Sequence, residues 1–466
     1  MKIFIIHDNP RFSSHIQYAM ERLCEPVECV EIIFDTSRPD AVASDDMVIH
    51  FGVEPDPGIP CDIFIADSGL FSGNYLTPDS APDTPLESFE DLPILFGNKT
   101  GDDAWVETSR RQVISRIDLV AGVFFLLTRY EEIISGERDE YDRFPAESSL
   151  MTSAGLIRRP LADEYSDLFC SWLKLLRPDI RFRDRWRGHR YRLYVTHDVD
   201  VLSKFSWKNM LTGRQSPVKG LTRVAGLKRD PWWNLEEVAG LDEEYGVKAE
   251  YFFLAGGNTK LDGFYDIRKK SITNVIHQLK KRGCRIGIHF SLSSHLEMSE
   301  ISNVGDSFHE FRENMEQFIS ATGIRPEGSR QHYLGFSAPD TFHALESIGI
   351  RYDATLGFSK TAGFRCGTCR PFPCFDAVTG EKIDLVETPL IAMDTTFIHH
   401  KGYSPEESLE VMKSLLEEVV RRNGVFCLLW HNNTLDEEEY PGWTETYRKF
   451  LEVACSHDPE LTGDPF

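Results

Sequence analysis

The feature that most constrains the fold is a regular alternation of short apolar segments with helical segments between residues 191 and 430. Strands separated by helices pair in parallel, so this alternation predicts an α/β barrel or a doubly wound sheet. The clearest helices are expected at Asn234–Tyr245, Ile267–Arg282 and Pro405–Arg422. The last of these has Ser404 as its N-cap and Glu407 to complete a capping box. The expected strands are Tyr191–Thr196, Ala249–Leu254, Arg285–Phe290, Gly328–Tyr333, Ile350–Ala354, Ile383–Pro389 and Val425–Trp430.

Residues 1–185 show a different pattern and are predicted to form a smaller α/β domain with a helix at Arg11–Leu23. No glycine-rich phosphate loop follows the first strand, so the sequence does not support nucleotide binding. Further helices are expected at 108–132 and at Leu161–Leu176. The expected strands are Lys2–His7, Val27–Phe34, Met47–Phe51, Asp62–Ala66 and Leu92–Phe96.

An arginine-rich run, Arg177–Arg192, joins the two parts, and we place the domain boundary inside it, near residue 185. The second domain then comprises residues 186–466. The run is either a solvated linker or an arm that lies across an acidic neighbouring domain. In the first domain, Arg129, Glu131 and Glu132 are interpreted as paired charges on a helix surface rather than as catalytic groups.

The composition excludes several classes of function. With 466 residues, of which 41% are hydrophobic, the chain can bury a large core, and its net charge of −23 argues against nucleic-acid binding. The first residues lack the apolar region of a secretory signal, and the longest apolar stretch, Leu119–Leu127, is too short to span a membrane. We therefore expect no transmembrane segment and a cytoplasmic location. The cysteines are expected to be free thiols, with Cys366, Cys369 and Cys374 a weak candidate for a structural zinc site.

Polar side chains of metal-ligand and acid–base type stand at the end of nearly every expected strand after residue 190. Asp198 and Asp200 share one face of their strand because they are two residues apart, although turn chemistry alone could explain such a pair. The carboxyl ends of parallel strands meet at one edge, where the sites of such folds lie. The remaining side chains of this kind are His289, His295, Arg330, Gln331, His332, Tyr333, Tyr352, Asp353, Glu387, His431, Asn432 and Asn433.

The order of these motifs resembles the polysaccharide deacetylase family, carbohydrate esterase family 4, over roughly residues 190–435. The sequence THDVD at 196–200 is similar to the family's T-F-D-D motif, RQHYL at 330–334 to its R-x-P-Y-G motif, and LWH at 429–431 to its L-x-H motif. The resemblance implies a distorted (β/α)7 barrel and metal-dependent hydrolysis. Residues 1–185 resemble the N-terminal extension of a bacterial subgroup, for which no defined activity is implied.

The resemblance also implies the catalytic roles. Asp198 would be the general base and His431 the general acid. Arg330 would hold Asp198 ionised and oriented, and the backbone N–H of Tyr333 would stabilise the oxyanion.

The implied metal ligands are Asp200 and His289, which would hold a divalent metal, with zinc expected and cobalt, nickel or manganese left open. The family's second histidine is missing, because Ser293 stands at its position. A catalytic metal usually has three protein ligands. The third could be His295 if its loop folds back, His332 from the neighbouring strand, or water beside Ser293. His332 is favoured because its strand already ends at the mouth of the barrel.

The expected substrate-binding residues lie near the same strand ends. Lys204 and Lys208 belong to a basic segment, Val201–Arg229, that contains no Asp or Glu and is either a lid that attracts a phosphorylated sugar or a solvated loop. Trp430 is either a sugar-stacking residue or a core aromatic, and Asn432 stands beside it.

These observations predict a metal-dependent hydrolase that removes an N-acetyl group from an amino sugar in a cytoplasmic glycan precursor. Two alternatives stay open: another C–N amide hydrolase of the same fold, and a catalytically inactive barrel that binds a sugar.

Overall fold

The computed structural model describes residues 2–28, 31–35, 46–99, 101, 103–204, 229–257, 261–262, 265–300 and 308–461. Its strands are β1 Lys2–His7, β2 Glu31–Asp35, β3 Met47–Gly52, β4 Ile63–Ala66, β5 Glu87–Phe89, β6 Leu92–Ile94, β7 Val106–Thr108, β8 Val113–Ser115, β9 Tyr191–Val199, β10 Glu250–Leu254, β11 Arg285–Phe290, β12 Gly328–Gln331, β13 Tyr352–Asp353, β14 Phe372–Asp376, β15 Glu381–Glu387, β16 Ala392–Met393, β17 Val425–Leu429 and β18 Pro459–Glu460. Its helices are α1 Ser13–Cys24, α2 Leu119–Leu127, α3 Tyr130–Ile134, α4 Leu150–Ser153, α5 Leu161–Leu176, α6 Leu235–Glu244, α7 Lys270–Lys281, α8 Leu292–Glu300, α9 His309–Thr322, α10 Asp340–Ser347, α11 Pro405–Arg421 and α12 Trp443–Ser456.

The larger sheet contains every strand expected after residue 190. Its order is β14-β15-β13-β12-β11-β10-β9-β17-β16, with β18 beside β9, and its pairs are parallel except β14 with β15. Several of its connections contain a helix, as the alternation predicts, and the capping box of Ser404 and Glu407 at the start of α11 is present.

The order of strands shows that this sheet curls into a distorted barrel. In a flat sheet, the seven spacings between β15 and β16 would separate them by about 34 Å. The chain from Glu387 at the end of β15 to Ala392 at the start of β16 reaches at most about 18 Å. The two ends of the sheet must therefore approach each other, which confirms the predicted α/β barrel. The strand β9 lies between β10 and β17 and is buried along its whole length.

The smaller sheet lies in the N-terminal region, in the order β2-β1-β3-β4-β8-β7, and is parallel except for β7 with β8. An apolar core includes residues of this sheet and of α1, α2 and α5. The predicted small α/β unit is thus confirmed, whereas the domain boundary near residue 185 stays a prediction. The segment expected as a strand at Leu92–Phe96 pairs instead with β5 in a separate hairpin.

The predicted helix at 108–132 is wrong at both ends. Residues 113–115 form β8 because they pair with β4, and the helix begins only at Leu119, where the Asp118 side chain accepts a hydrogen bond from the backbone N–H of Ala121. The helix also breaks at Arg129, whose φ of 55° lies in the left-handed region.

The interpretation of Arg129, Glu131 and Glu132 as surface charges is wrong as well, because all three are buried. The Arg129 guanidinium donates to both carboxylates, and Glu132 also accepts two hydrogen bonds from Arg365 of the barrel region, at 2.8 and 2.9 Å. This buried network joins the N-terminal region to the barrel. Residues of the arginine-rich run also contact the N-terminal region, where Arg185 pairs with Glu25.

Among the described residues, none of the helices combines the length and the apolar character that crossing a membrane requires.

Candidate metal centre

The candidate site lies at the carboxyl ends of the barrel strands, as the sequence predicts. Parallel pairing brings β9, β11, β12 and β17 to the same edge, and the register places His289 directly beside Arg330. Asp198 is the penultimate residue of β9, Asp200 follows that strand, and His431 follows β17 by two residues.

Three imidazoles converge on the Asp200 carboxylate. The Nε2 atoms of His289 and His332 lie 3.3 and 3.8 Å from its Oδ1, and Nε2 of His431 lies 3.6 Å from its Oδ2. Burial alone raises the pKa of the Asp200 carboxyl, but these imidazoles lower it below its ordinary value. The histidines are buried and the Asp200 side chain is partly exposed, so the cluster faces solvent through the carboxylate.

Each imidazole is fixed by a partner at its other nitrogen. Nδ1 of His289 donates to the backbone carbonyl of Arg330 at 2.9 Å, which leaves the lone pair on Nε2. Nδ1 of His332 lies 2.8 Å from Oδ1 of Asp262, and Nδ1 of His431 lies 2.7 Å from Oδ1 of Asp394. Such outer partners are typical of metal-binding histidines, because they fix the tautomer and the ring orientation.

The structure brings His332, rather than His295, to the cluster. Asp200, His289 and His332 each offer a ligand atom within 4.8 Å of the others, and this is the one such group in the described part of the chain. The His295 ring is buried elsewhere, with Nε2 3.1 Å from the carbonyl oxygen of Asp142.

Ser293, which replaces the expected histidine, still takes part in the arrangement. Its backbone N–H donates to Asp262, the residue that holds His332, and its hydroxyl donates to Glu310 at 2.9 Å. The neighbouring N–H of Leu292 donates to Asp262 at 2.8 Å. The segment that would carry the second histidine therefore positions the carboxylate behind His332.

The three residues fit a divalent metal. Oδ1 of Asp200 is a buried atom that accepts no hydrogen bond of good geometry within the described ranges, although Nε2 of His289 is 3.3 Å away. Ligands of a tetrahedral site with bonds of about 2.0 Å lie roughly 3.3 Å apart, close to the separations seen here. One carboxylate and two neutral imidazoles suit zinc and neighbouring transition metals.

Asp198 lies deeper than Asp200 and is held by Arg330. The guanidinium Nη1 donates to Asp198 at 3.0 Å and to the Thr196 hydroxyl at 2.7 Å, and Nε donates to the carbonyl of Ala354 at 2.7 Å. Arg330 is fully buried, and its charge is stacked 4.8 Å from the centre of the Phe252 ring. Asp198 is therefore oriented by a fixed cation at the base of the site.

In the order of the strands, β17, which leads to His431, is four strands away from β12, which carries Arg330, and His431 has its own carboxylate. Burial lowers the pKa of His431, but Asp394, together with Asp200 and Asp198, raises it to about 10, which favours the protonated imidazole. The Asp394 carboxylate also accepts the backbone N–H of His431 at 2.9 Å. Asp394 follows the two-residue strand β16, and an apolar run that ends in an aspartate is the only signal for it in the sequence.

Tyr333 has a left-handed backbone, with φ 59°, and Leu334 follows it with φ 56°. For residues other than glycine this conformation costs about 1–3 kcal/mol and is found at functional sites. Arg143 of the N-terminal region donates a hydrogen bond to the Tyr333 carbonyl, and the ring of Tyr141 lies 4.9 Å from that of Tyr333. The segment around residue 140 thus supports this backbone.

A cavity of about 390 Å³ opens over the cluster. Its lining includes Asp198, Asp200, His289, His332 and His431. Such a volume accommodates a small ligand such as a sugar ring. The lining also combines residues of the N-terminal region with residues that follow the barrel strands, and these are Glu140, Tyr141, Arg143, Ser359, Lys360, His399 and His400.

Of the residues expected to bind substrate, those that the structure describes, Lys204, Trp430 and Asn432, do not line the cavity. Lys204 forms ion pairs with Asp436 and Glu439 at 2.5 and 2.9 Å, and Lys208, with most of the expected lid, lies outside the described residues. Trp430 is fully buried, so of the two alternatives it is a core aromatic and not a sugar-stacking residue.

Asn432 and the cysteine cluster serve the fold. The Asn432 amide donates to the carbonyl groups of Val201 and Trp232, which ties together the loops behind the site. Cys366 and Cys369 are buried thiols, and burial raises the pKa of both.

Fold and site together define an α/β barrel protein with a candidate metal centre of one carboxylate and two imidazoles. A model for a family of unknown function, DUF7033, matches residues 4–178. A search of curated proteins returned no match.

Three solved structures show a distant likeness. A presumed polysaccharide deacetylase from Mycobacterium smegmatis is 17% identical, with 59% of this chain and 88% of that one covered and a TM-score of 0.42. The catalytic domain of a peptidoglycan N-acetylglucosamine deacetylase from Eubacterium rectale is 12% identical, with coverage of 58% and 87% and a TM-score of 0.31. Peptidoglycan deacetylase PdaC from Bacillus subtilis is 11% identical, with coverage of 59% and 87% and a TM-score of 0.29.

Proposed function

We propose that this protein is a metal-dependent hydrolase that removes an N-acetyl group from an amino sugar in a glycan precursor. The observation that carries the proposal is the convergence of His289, His332 and His431 on Asp200, each imidazole fixed from behind by an oxygen atom. The order of the sequence motifs supports the choice of an amino sugar. The cytoplasmic location expected from the sequence stays a prediction.

The residues of the chain divide the chemistry of amide hydrolysis between them. A divalent cation held by Asp200, His289 and His332, with zinc the expected ion, would supply Lewis-acid chemistry, which acidifies water and polarises a carbonyl group. Asp198, oriented by Arg330 at 3.0 Å, would accept the proton of the attacking water.

The leaving group and the oxyanion need two further groups. His431, whose pKa is raised by Asp394, would donate a proton to the leaving nitrogen. The backbone N–H of Tyr333 would donate to the developing oxyanion, and Arg143 fixes the peptide that follows it. Removal of one such donor costs about 3 kcal/mol of transition-state stabilisation in other hydrolases.

The direct test is acetate release from N-acetylated sugars and nucleotide sugars by purified protein, together with its metal content. We expect one bound metal per chain, loss of acetate release after chelation, and recovery on adding back zinc, cobalt, nickel or manganese. A protein that binds these sugars without metal and without acetate release would instead be a sugar-binding barrel. Release of ammonia or an amine from other amides alone would indicate a different C–N hydrolase.

The general acid can be tested with a matched pair of histidines. His431→Asn should lower kcat by about 10²–10⁴-fold while metal content is kept. His343→Asn is the control, because His343 also lies 3.0 Å from an aspartate, Asp376, but does not line the cavity. Equal loss in both variants would contradict the role of His431.

A further inference from the structure

A group of basic side chains from three separate segments forms one wall of the cavity over the metal cluster. Arg143 comes from the N-terminal region, Lys360 follows β13, and His399 and His400 lie in the short π-helix Thr396–Lys401. All four line the same 390 Å³ cavity as Asp198 and Asp200. In a chain with a net charge of −23, such a concentration of basic groups at one wall is a local reversal of charge.

The acidic partners of these cations lie behind the wall rather than in the cavity. Asp139 binds the Arg143 guanidinium through Nε and Nη2 at 3.0 and 2.7 Å, and Glu147 lies 3.2 Å from Nζ of Lys360. Both carboxylates line a neighbouring hollow of about 20 Å³ and neither lines the large cavity. The acidic residues therefore hold the cations in position, and Glu140 is the one carboxylate of this wall that faces the cavity.

The wall has donors left for a ligand. The hydrogen bonds that the described residues make with Arg143 use three of its five N–H groups, two to Asp139 and one to the Tyr333 carbonyl. His400 and Lys401 are exposed, and the structure shows no ion pair for either among the described residues. Partial burial lowers the pKa of His400, and Arg143, His399, Lys360 and Lys401 lower it further, which shows that these basic groups act on one another.

We propose that this wall, formed by Arg143, Lys360, His399 and His400, is a subsite for a negatively charged group on the acylated amino sugar, a phosphate or a carboxylate. The inference rests on the proposed function for the identity of the sugar, but the anion subsite itself is defined by the wall. The planar guanidinium and the lysine ammonium are the groups that proteins use for such anions. The segment around residue 140 thereby gives the N-terminal region a part in substrate selection.

The test compares variants that place a negative charge on the wall of the full-length, metal-loaded protein. Lys360→Glu and His400→Glu change the wall, and Lys413→Glu is the matched control, since Lys413 is a partly exposed lysine with one glutamate partner, Glu410, outside the cavity. Calorimetric titration with N-acetylglucosamine, N-acetylglucosamine 1-phosphate and N-acetylmuramic acid measures binding of a neutral, a phosphorylated and a carboxylated sugar. Inorganic pyrophosphate measures binding of the anion alone.

We expect at least one charged sugar to bind five-fold or more tightly than N-acetylglucosamine, and this preference to disappear in Lys360→Glu and His400→Glu but not in Lys413→Glu. Tighter binding of the phosphorylated sugar would identify a phosphate subsite, and tighter binding of N-acetylmuramic acid a carboxylate subsite. Equal affinity for the neutral and charged sugars, or a preference that survives both wall variants, would overturn the proposal.

The titration separates this inference from the proposed function. Charge-dependent binding without acetate release would keep the subsite and contradict deacetylation. Acetate release from neutral sugars that is unaffected by Lys360→Glu, with no binding of pyrophosphate, would keep deacetylation and contradict the subsite.

Discussion

The two parallel sheets of this protein place aspartates at the same kind of position, and only one of them builds a candidate metal centre. In the N-terminal sheet, Asp8 follows β1 and Asp67 follows β4, with Asp118 close by. Asp67 accepts the backbone N–H of Gly69 at 2.8 Å, and Asp118 accepts those of Ser68 and Ala121 at 2.8 Å. These carboxylates therefore form a turn and a helix cap.

The barrel edge differs in what faces its carboxylates. Asp200 is surrounded by imidazoles, and each imidazole is fixed in turn by a carbonyl or a carboxylate. In the N-terminal sheet, the nearest recorded contact of this type is His50 with Asp8, at 3.5 Å. An aspartate at a strand end therefore indicates a metal site only when oriented nitrogen ligands converge on it.

The largest effect is expected from removing the carboxylate at the centre of the barrel cluster. Asp200→Ala should lose the bound metal and with it acetate release, because two imidazoles alone leave the site one ligand short. Asp67→Ala, at the matching position in the N-terminal sheet, should keep both. The measurement is metal per chain by elemental analysis. Loss of metal in both variants, or in neither, would remove the distinction between the two edges.

The second effect separates chemistry from metal binding within the barrel edge. Asp198→Asn should lower kcat by about 10²–10⁴-fold because the amide cannot accept the proton of water, while the hydrogen bond to Arg330 can still be made through the amide oxygen. Metal content should stay at the wild-type level. Unchanged turnover would contradict the assignment of Asp198 as the base.

A third prediction concerns the carboxylate behind His332. Asp262→Asn should weaken metal affinity about 10–100-fold, the usual effect of removing an outer partner of a metal-binding histidine. His295→Gln should leave the affinity unchanged, because His295 bonds to the carbonyl of Asp142 instead of facing Asp200. Affinity is measured by competition with a chelator of known strength. The reverse result would move the third ligand to His295.

Part of this site could be predicted from the sequence, because strand order alone places some of its residues. The position of Asp198, His289, Arg330 and His431 at one edge follows from strand order, because parallel strands end together. The same strand order favours His332 as the third ligand, and the structure brings it to the cluster.

The partners that fix the imidazoles could not be predicted in this way. Asp262 stands in a loop, and Asp394 follows a strand of only two residues, so neither has a periodic signal. Arg143 lies 190 residues before Tyr333 in the sequence, and no local sequence pattern indicates that the two pack together. The burial of Arg129, Glu131 and Glu132 could not be predicted for the same reason. Their partner Arg365 is 233 residues from Glu132 in the sequence.

The smallest effect is expected from Asp118, beside the strand ends of the N-terminal sheet. Burial and the neighbouring Asp67 raise the pKa of Asp118 from 3.8 to about 7. The folded chain then holds this proton more tightly than the unfolded chain, so the wild-type protein loses stability as the pH rises from about 4 to 7. Asp118→Asn cannot titrate, and its stability relative to wild type should rise by about 2 kcal/mol between pH 5 and pH 8. Thermal melting of both proteins measures the difference, and a difference that does not change with pH would contradict the raised pKa.

The most direct measurement is a crystal structure of the zinc-loaded protein with data collected at the zinc absorption edge. The anomalous signal should lie between Oδ1 of Asp200 and the Nε2 atoms of His289 and His332, with bonds of about 2.0–2.2 Å. A signal at His295, at the cysteines near residue 369, or beside Asp67 and Asp118 would contradict the assignment of the metal centre to the barrel edge.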